Sequence, residues 1–215
     1  MLKFEIIPVT HYRQNCSLLW CEETREAAVV DPGGDIQKIL ALINRLQLVL
    51  VKVLLTHGHL DHVGGALQLS QLANIPIVGP HKDDSYWLSR IPQQSQMMGF
   101  PPHEPFVPTE YLQEGDQVQI GTQILSVIHC PGHTPGHIIF YHQPTEMAWV
   151  GDVIFNGSIG RTDFPMGNFD DLIHSIRDKL FALGDQVTFV PGHGPLSTLG
   201  EERLHNPFVA DKRFG

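Results

Sequence analysis

The chain has few cysteines, no long apolar run and a deficit of basic charge. Its 215 residues include three cysteines, Cys16, Cys21 and Cys130. Three thiols make no disulfide framework, so reduced, buried cysteines in a cytosolic protein are expected. No stretch reaches about 18 uninterrupted apolar residues, the length of a membrane span. The opening residues Met1-Leu2-Lys3-Phe4-Glu5 lack the apolar core of a signal peptide. A cytoplasmic location without membrane contact is therefore expected. Lys and Arg total 14 against 23 Asp and Glu, a formal charge of −9. Such a balance argues against a nucleic-acid partner and leaves room only for a local basic pocket. A chain of this length buries roughly 70% of its unfolded surface, enough for a core without covalent staples.

What the chain does have is histidine, 13 in all, and it is not scattered. In Thr56-His57-Gly58-His59-Leu60-Asp61-His62, four metal-capable side chains fall within six positions. They follow the apolar run Val51 to Leu55, which reads as a buried strand. His57 and His59 are two apart and share a side in extended chain. His59 and His62 are three apart and share a side on a helical turn. Gly58 gives the loop room for a tight bend. A solvated, His-rich surface loop is the plain alternative, but the ligand types and the strand-end context fit a metal site. The arrangement recurs. Ile124 to Ile128 leads into His129-Cys130-Pro131-Gly132-His133, Ala148 to Val150 into Gly151-Asp152, and Val187 to Val190 into Pro191-Gly192-His193. Four predicted strands each deliver a His or Asp at their carboxyl ends, where sites gather in layered α/β proteins.

Patterning places early strands over Phe4 to Val9, Cys16 to Trp20 and Ala27 to Val30. Asp35 is expected to cap a helix with apolar Ile36, Ile39, Leu40, Ile43 and Leu46. A short helix over Gly64 to Ala73, a strand at Ile75 to Val78 and a weak helix over Lys82 to Ser89 follow. Residues 91 to 109 have no clean period and hold five prolines, reading as a long loop, functional or merely connecting. Val118 to Ile120 and Gln123 to Ile128 form a predicted hairpin. Strands at His137 to His142, Met147 to Val150 and Val187 to Val190, with a helix from Phe169 to Ala182, complete the second half. One domain of two halves, about 1–110 and 111–215, is expected, with the metal site between them.

Taken together, the Thr56 to His62 motif, Pro131-Gly132-His133-Thr134-Pro135-Gly136-His137, Gly151-Asp152 and Pro191-Gly192-His193-Gly194 resemble the metallo-β-lactamase superfamily over nearly the whole chain. Gly160-Arg161-Thr162-Asp163-Phe164 and His205-Asn206-Pro207-Phe208 are similar to segments of its glyoxalase II branch, in particular the short bacterial hydroxyacylglutathione hydrolases. The resemblance implies an α/β fold, the αββα sandwich of two mixed β-sheets flanked by helices. It implies that His57, His59 and His133 hold one metal, that Asp61, His62 and His193 hold another, and that Asp152 bridges them. Asp61 and Asp152 are then also the candidate catalytic carboxylates. Two divalent ions are implied, zinc first, with iron or manganese as alternatives. His137 and His129 are read as structural and Cys130 as core. Asp31 orients a ligand imidazole or is a plain turn residue.

The chemistry implied is hydrolysis of a glutathione thioester, S-D-lactoylglutathione to D-lactate and glutathione, a step of methylglyoxal detoxification. A thiol with pKa about 8.5 leaves as thiolate without an acid. No cysteine stands among the second-metal ligands, unlike in some lactamases of the superfamily. Longer glyoxalase II enzymes carry a helical extension, whereas 22 residues follow His193 here. Arg161 and Arg203 are therefore the candidates for holding substrate carboxylates, with Phe155 as a wall. Two alternatives stay open. One is a persulfide dioxygenase with a single iron on His57, His133 and Asp152. The other is a non-enzymatic zinc module, although structural zinc sites are closed and usually rich in cysteine.

Overall fold

A computed structural model describes residues 1–214. Strands β1 (Leu2–Val9) and β2 (Gln14–Cys21) form a long antiparallel hairpin, in register from Leu2 opposite Cys21 to Val9 opposite Gln14. Strand β3 (Glu26–Val30) adds antiparallel to β2, and β4 (Val49–Leu54) and β5 (Ile77–Val78) add parallel, giving a five-stranded mixed sheet. The parallel step from β3 to β4 needs a crossover, supplied by helix α1 (Ile36–Arg45). Ile36, Ile39, Leu42 and Ile43 are its buried residues, a helical stripe laid on the sheet.

The second sheet is built from β6 (Gln117–Ile120), β7 (Gln123–His129), β8 (Ile138–His142) and β9 (Met147–Gly151), a run of antiparallel neighbours. A small hairpin, β10 (Ile154–Phe155) and β11 (Ser158–Ile159), stands apart. Strand β12 (Thr188–Pro191) then pairs parallel with β9, and β13 (Ser197–Thr198) closes the edge, in the order β13-β12-β9-β8-β7-β6. The two sheets pack face to face through Leu19, Leu54, Phe140 and Trp149, all buried. A second apolar cluster joins the first sheet to α1, and a third joins the second sheet to the helical segment after Asn168. These layers are the αββα sandwich. Val53 and Leu54 show the consequence for sequence: neighbours on one strand are both buried because helices cover one face and the other sheet covers the opposite one.

Four local expectations are corrected. Asp35 precedes α1 but does not cap it; it sits in the left-handed region at φ 52°, and its carboxylate accepts from the Thr10 amide instead. The Gly64–Ala73 helix starts at Ala66 as α3 (Ala66–Ala73), and a separate helical turn, α2 (Leu60–Val63), precedes it on the metal loop itself. The stretch 91–109 is not all loop. A 3-10 turn at Lys82–Asp84 runs into α4 (Ser85–Ser89), and α5 (Ile91–Met98) follows with Pro92 in its first turn, where the missing N–H costs nothing. The Phe169–Ala182 helix is α6 (Phe169–His174), continued by a π turn to Leu180 and a 3-10 turn at Phe181–Leu183, and Phe169 is half exposed rather than packed. The last helix, α7, spans Leu199–His205. No helix among the described residues is long and apolar enough to cross a membrane.

Candidate metal centre

Parallel pairing aligns the carboxyl ends of strands, so the loops leaving them share one edge of each sheet. Asp31 follows β3, the His57 to His62 loop follows β4, and His133 follows β7. Asp152 follows β9 and His193 follows β12. Gly58 serves close approach: an added Cβ there would lie 2.7 Å from Trp87 Cβ, so a side chain would push α4 off the loop.

The donors converge in two clusters, His57 with His59 and His133, and Asp61 with His62 and His193, each with ligand atoms within 4.8 Å of one another. Asp152 stands between them. Its Oδ2 is 3.6 Å from His133 Nε2 and 3.8 Å from His193 Nε2, and its Oδ1 is 3.3 Å from His62 Nε2. His193 Nε2 approaches Asp61 Oδ2 at 3.1 Å, and His133 Nε2 lies 3.0 Å from His59 Nδ1. His57 Nε2, His59 Nε2, His62 Nε2 and Asp152 Oδ1 are buried without a hydrogen-bond partner. An orphaned buried polar atom costs about 1–3 kcal/mol. Four of them on seven converging side chains fit a site built for cations. Gly192 keeps the centre open: a Cβ there would fall 2.1 Å from Asp152 Oδ1 and 2.6 Å from His62 Cε1.

The imidazoles are held from behind. Asp31 Oδ2 accepts from His62 Nδ1 at 2.9 Å and from the Thr56 hydroxyl at 2.6 Å, while Oδ1 accepts from the Thr56 amide. The same hydroxyl lies 3.0 Å from His57 Nδ1 and, having given its proton to Asp31, accepts from that ring. Both rings therefore carry hydrogen on Nδ1 and turn Nε2 inward. His133 Nδ1 donates to the Arg161 carbonyl at 2.8 Å with the same result. His137 joins neither cluster; it stacks on His57 at 4.6 Å, and its Nε2 accepts from the Asp152 amide. His129 bonds the Pro135 carbonyl and stacks on His81, and Cys130 is buried in the third apolar cluster.

Burial holds His57, His59 and His133 below the usual imidazole range, favouring the neutral form a metal needs. Burial also opposes charge on His62 and Asp152. Their mutual attraction prevails, with Asp61 adding to it: His62 is held above its ordinary range and Asp152 below its own.

Asp84 escaped the sequence reading. Its carboxylate is fully buried and accepts from the Gly58 amide at 2.7 Å, the Gly136 amide at 2.6 Å and the Thr134 hydroxyl at 2.8 Å. It thereby fastens the loop of His57 and His59 to the loop of His133. Burial pushes its acid up to about 7 despite these donors. Only the acidic pair at Asp83-Asp84 marked it in sequence, and nothing there points at two distant loops.

A cavity of about 640 Å³ opens over this centre, with His59, Asp61, His133 and Asp152 in its floor. Trp87, Phe155 and Phe164 wall it, and Arg161 lines it. Arg161 is nevertheless engaged: its Nε and Nη2 grip Asp163 at 2.8 and 2.7 Å. Arg203 does not line the cavity. On α7 it bonds Asp185 at 2.7 Å and the Phe181 carbonyl and lies over the Phe181 ring, so it fastens the last helix to the body instead of facing substrate.

The αββα sandwich with His and Asp clusters at its strand ends defines a class of metal-dependent hydrolases. Residues 9–193 match the family model of the metallo-beta-lactamase superfamily, and the chain belongs to that superfamily. It is 44% identical to hydroxyacylglutathione hydrolase GloC of Haemophilus influenzae, over 98% of this chain and 100% of the relative. Among solved structures it superposes on the BLEG-1 B3 metallo-beta-lactamase at TM-score 0.88, with 35% identity, covering 96% of this chain and 99% of that one. It superposes on TTHA1623 in a di-iron-bound form at TM-score 0.87, with 32% identity, covering 95% and 100%.

Proposed function

We propose that this protein is a metal-dependent thioester hydrolase of the hydroxyacylglutathione hydrolase type, acting on S-D-lactoylglutathione or a close 2-hydroxyacyl thioester. The observation that carries the reading is the shared carboxylate of Asp152 between two three-residue donor clusters, set in the floor of an apolar-walled cavity. The name of the 44% identical relative supports it. In this reading His57, His59 and His133 would hold one divalent ion, Asp61, His62 and His193 would hold a second, and Asp152 would serve both. Zinc suits these donors, and the di-iron-bound form of TTHA1623 supports iron as the alternative. When bound, such a pair supplies Lewis acidity for a carbonyl oxygen and a water of pKa about 7.

The chain's own contribution is placement. Asp31, Thr56 and the Arg161 carbonyl fix the tautomer of His62, His57 and His133. The aromatic walls exclude water from the acyl group, and Phe155 and Arg161 border the route to it. A thiolate departs without a proton donor, which agrees with a floor whose polar side chains are all metal donors.

Metal analysis of protein prepared without chelators, with paired assays of lactoylglutathione absorbance and of oxygen uptake with glutathione persulfide, tests the reading. About two metals per chain and thioester loss without oxygen uptake are expected. Oxygen uptake without thioester loss would transfer the assignment to the dioxygenase reaction.

A further inference from the structure

The thiol half of the substrate needs a cationic handle, because glutathione is anionic and this chain carries a formal charge of −9. The two arginines that motif position singles out are both committed, Arg161 to Asp163 and Arg203 to Asp185. The cavity has one other guanidinium on its lining, Arg90. It stands at the junction of α4 and α5, exposed at the cavity rim. Its side chain makes no ion pair or hydrogen bond among the described residues. It rests over the Tyr86 ring, 4.5 Å from the centroid, which covers one flat face and leaves the N–H edges free.

The segment that bears Arg90 is not a loose flap. Gln94 ties it to the ligand loop, accepting from the Leu60 amide at 2.9 Å and donating to the Gly58 and Trp87 carbonyls at 3.2 and 2.9 Å. Trp87 of the same segment packs edge-on against His59 at 4.5 Å. The backbone that bears Arg90 is therefore anchored to the ligand loop, and its guanidinium offers a fork suited to a carboxylate.

We infer that Arg90 holds a carboxylate on the thiol side of the thioester and makes the site prefer acidic thiols such as glutathione over neutral ones. The inference rests on the thioesterase reading above and adds the recognising residue to it.

The test measures binding of S-methylglutathione and of its dimethyl ester to the metal-loaded protein by calorimetry. It compares wild type, Arg90→Gln and Arg161→Gln. The quantity read is the ratio of acid affinity to ester affinity, which a general loss of folding does not move. In Arg90→Gln the ratio falls about three- to tenfold, between the worth of an exposed ion pair and that of a bidentate one. An unchanged ratio, a wild type that does not prefer the acid, or a larger fall in Arg161→Gln overturns the assignment. Lactoylglutathione turnover is followed on the same preparations. Turnover without an Arg90-dependent ratio removes Arg90 and leaves the hydrolase reading. An Arg90-dependent ratio without turnover removes the hydrolase reading and leaves Arg90 as a carboxylate holder.

Discussion

Replacing Asp31 by Asn probes how one buried carboxylate sets two metal ligands. Asp31 has φ 51°, a left-handed conformation that Asn also adopts readily, so the backbone is not strained by the change. The amide oxygen can still accept from the Thr56 amide, as Oδ1 does at 2.8 Å. The amide nitrogen then replaces Oδ2 and presents hydrogens to His62 Nδ1 and the Thr56 hydroxyl, which now donate to it at 2.9 and 2.6 Å. His62 then loses its Nδ1 hydrogen and keeps one only on Nε2, the atom that faces Asp152. The Thr56 hydroxyl, now an acceptor from the amide, turns its own hydrogen to His57 Nδ1, which drives that proton to Nε2 as well. Binding a metal through Nε2 would then return hydrogen to Nδ1 of each ring and set it against an amide or hydroxyl donor, a clash that wild type does not have. Loss of such supporting partners costs about 10- to 100-fold in affinity, or about 1.4–2.8 kcal/mol, and here both clusters suffer. Metal-stripped wild type and Asp31→Asn are titrated against a chromophoric chelator, and imidazole 15N spectra report the tautomers. Thr56→Val keeps the amide contact and should weaken only the His57 cluster. Equal metal affinity in wild type and Asp31→Asn, or Nδ1–H rings retained in the variant, would refute the relay.

Three further outcomes are expected. Asp84→Asn leaves an N–H facing an N–H at one of the two ligand loops, costs about 1–3 kcal/mol, and lowers the melting temperature by about 2–12 °C in a thermal scan. Stripping metal with a chelator removes about 2.7–4.1 kcal/mol for each ion that had stood at 100 to 1,000 times its dissociation constant, a fall of about 5–16 °C per ion that zinc addition reverses. Arg203→Gln loses its contact with Asp185 and lowers the melting temperature by about 1–4 °C; it leaves KM for lactoylglutathione unchanged, and a raised KM would return Arg203 to the substrate.

The donor residues were legible because metal chemistry restricts residue type and because short spacing on one loop already implies shared direction. Four donors between His57 and His62 need no tertiary information to be suspected. The strands were legible for a related reason: Val53 and Leu54 are buried on both faces and read as an unbroken apolar run. Asp84 was not legible, because it acts on backbone N–H groups, and Gly58 and Gly136 carry no side chain to announce a partner. Helix α5 was hidden by its composition: Gln93, Gln94, Ser95 and Gln96 give no apolar period, and Pro92 reads as a breaker unless its first-turn position is known. Arg203 was misjudged by distance along the chain. Ten residues after His193 the chain has crossed β13 and begun α7, and Asp185 stands closer to the guanidinium than the cavity does.

The wall that carries Tyr86, Trp87, Arg90, Met97 and Met98 comes from one uninterrupted stretch of chain, 85–98, while the metal donors come from other stretches. On the Arg90 proposal, chemistry and recognition are written in separable passages of the sequence. Exchanging 85–98 between relatives would leave every donor in place, provided Trp87 and Gln94 are kept, since that ring and that amide join the passage to the loop of His57 and His59; on the Arg90 proposal it would also change the thiol accepted. A lineage can therefore shift its substrate range through changes in fourteen adjacent codons, and a library confined to them would sample new thioesters without dismantling the metal centre.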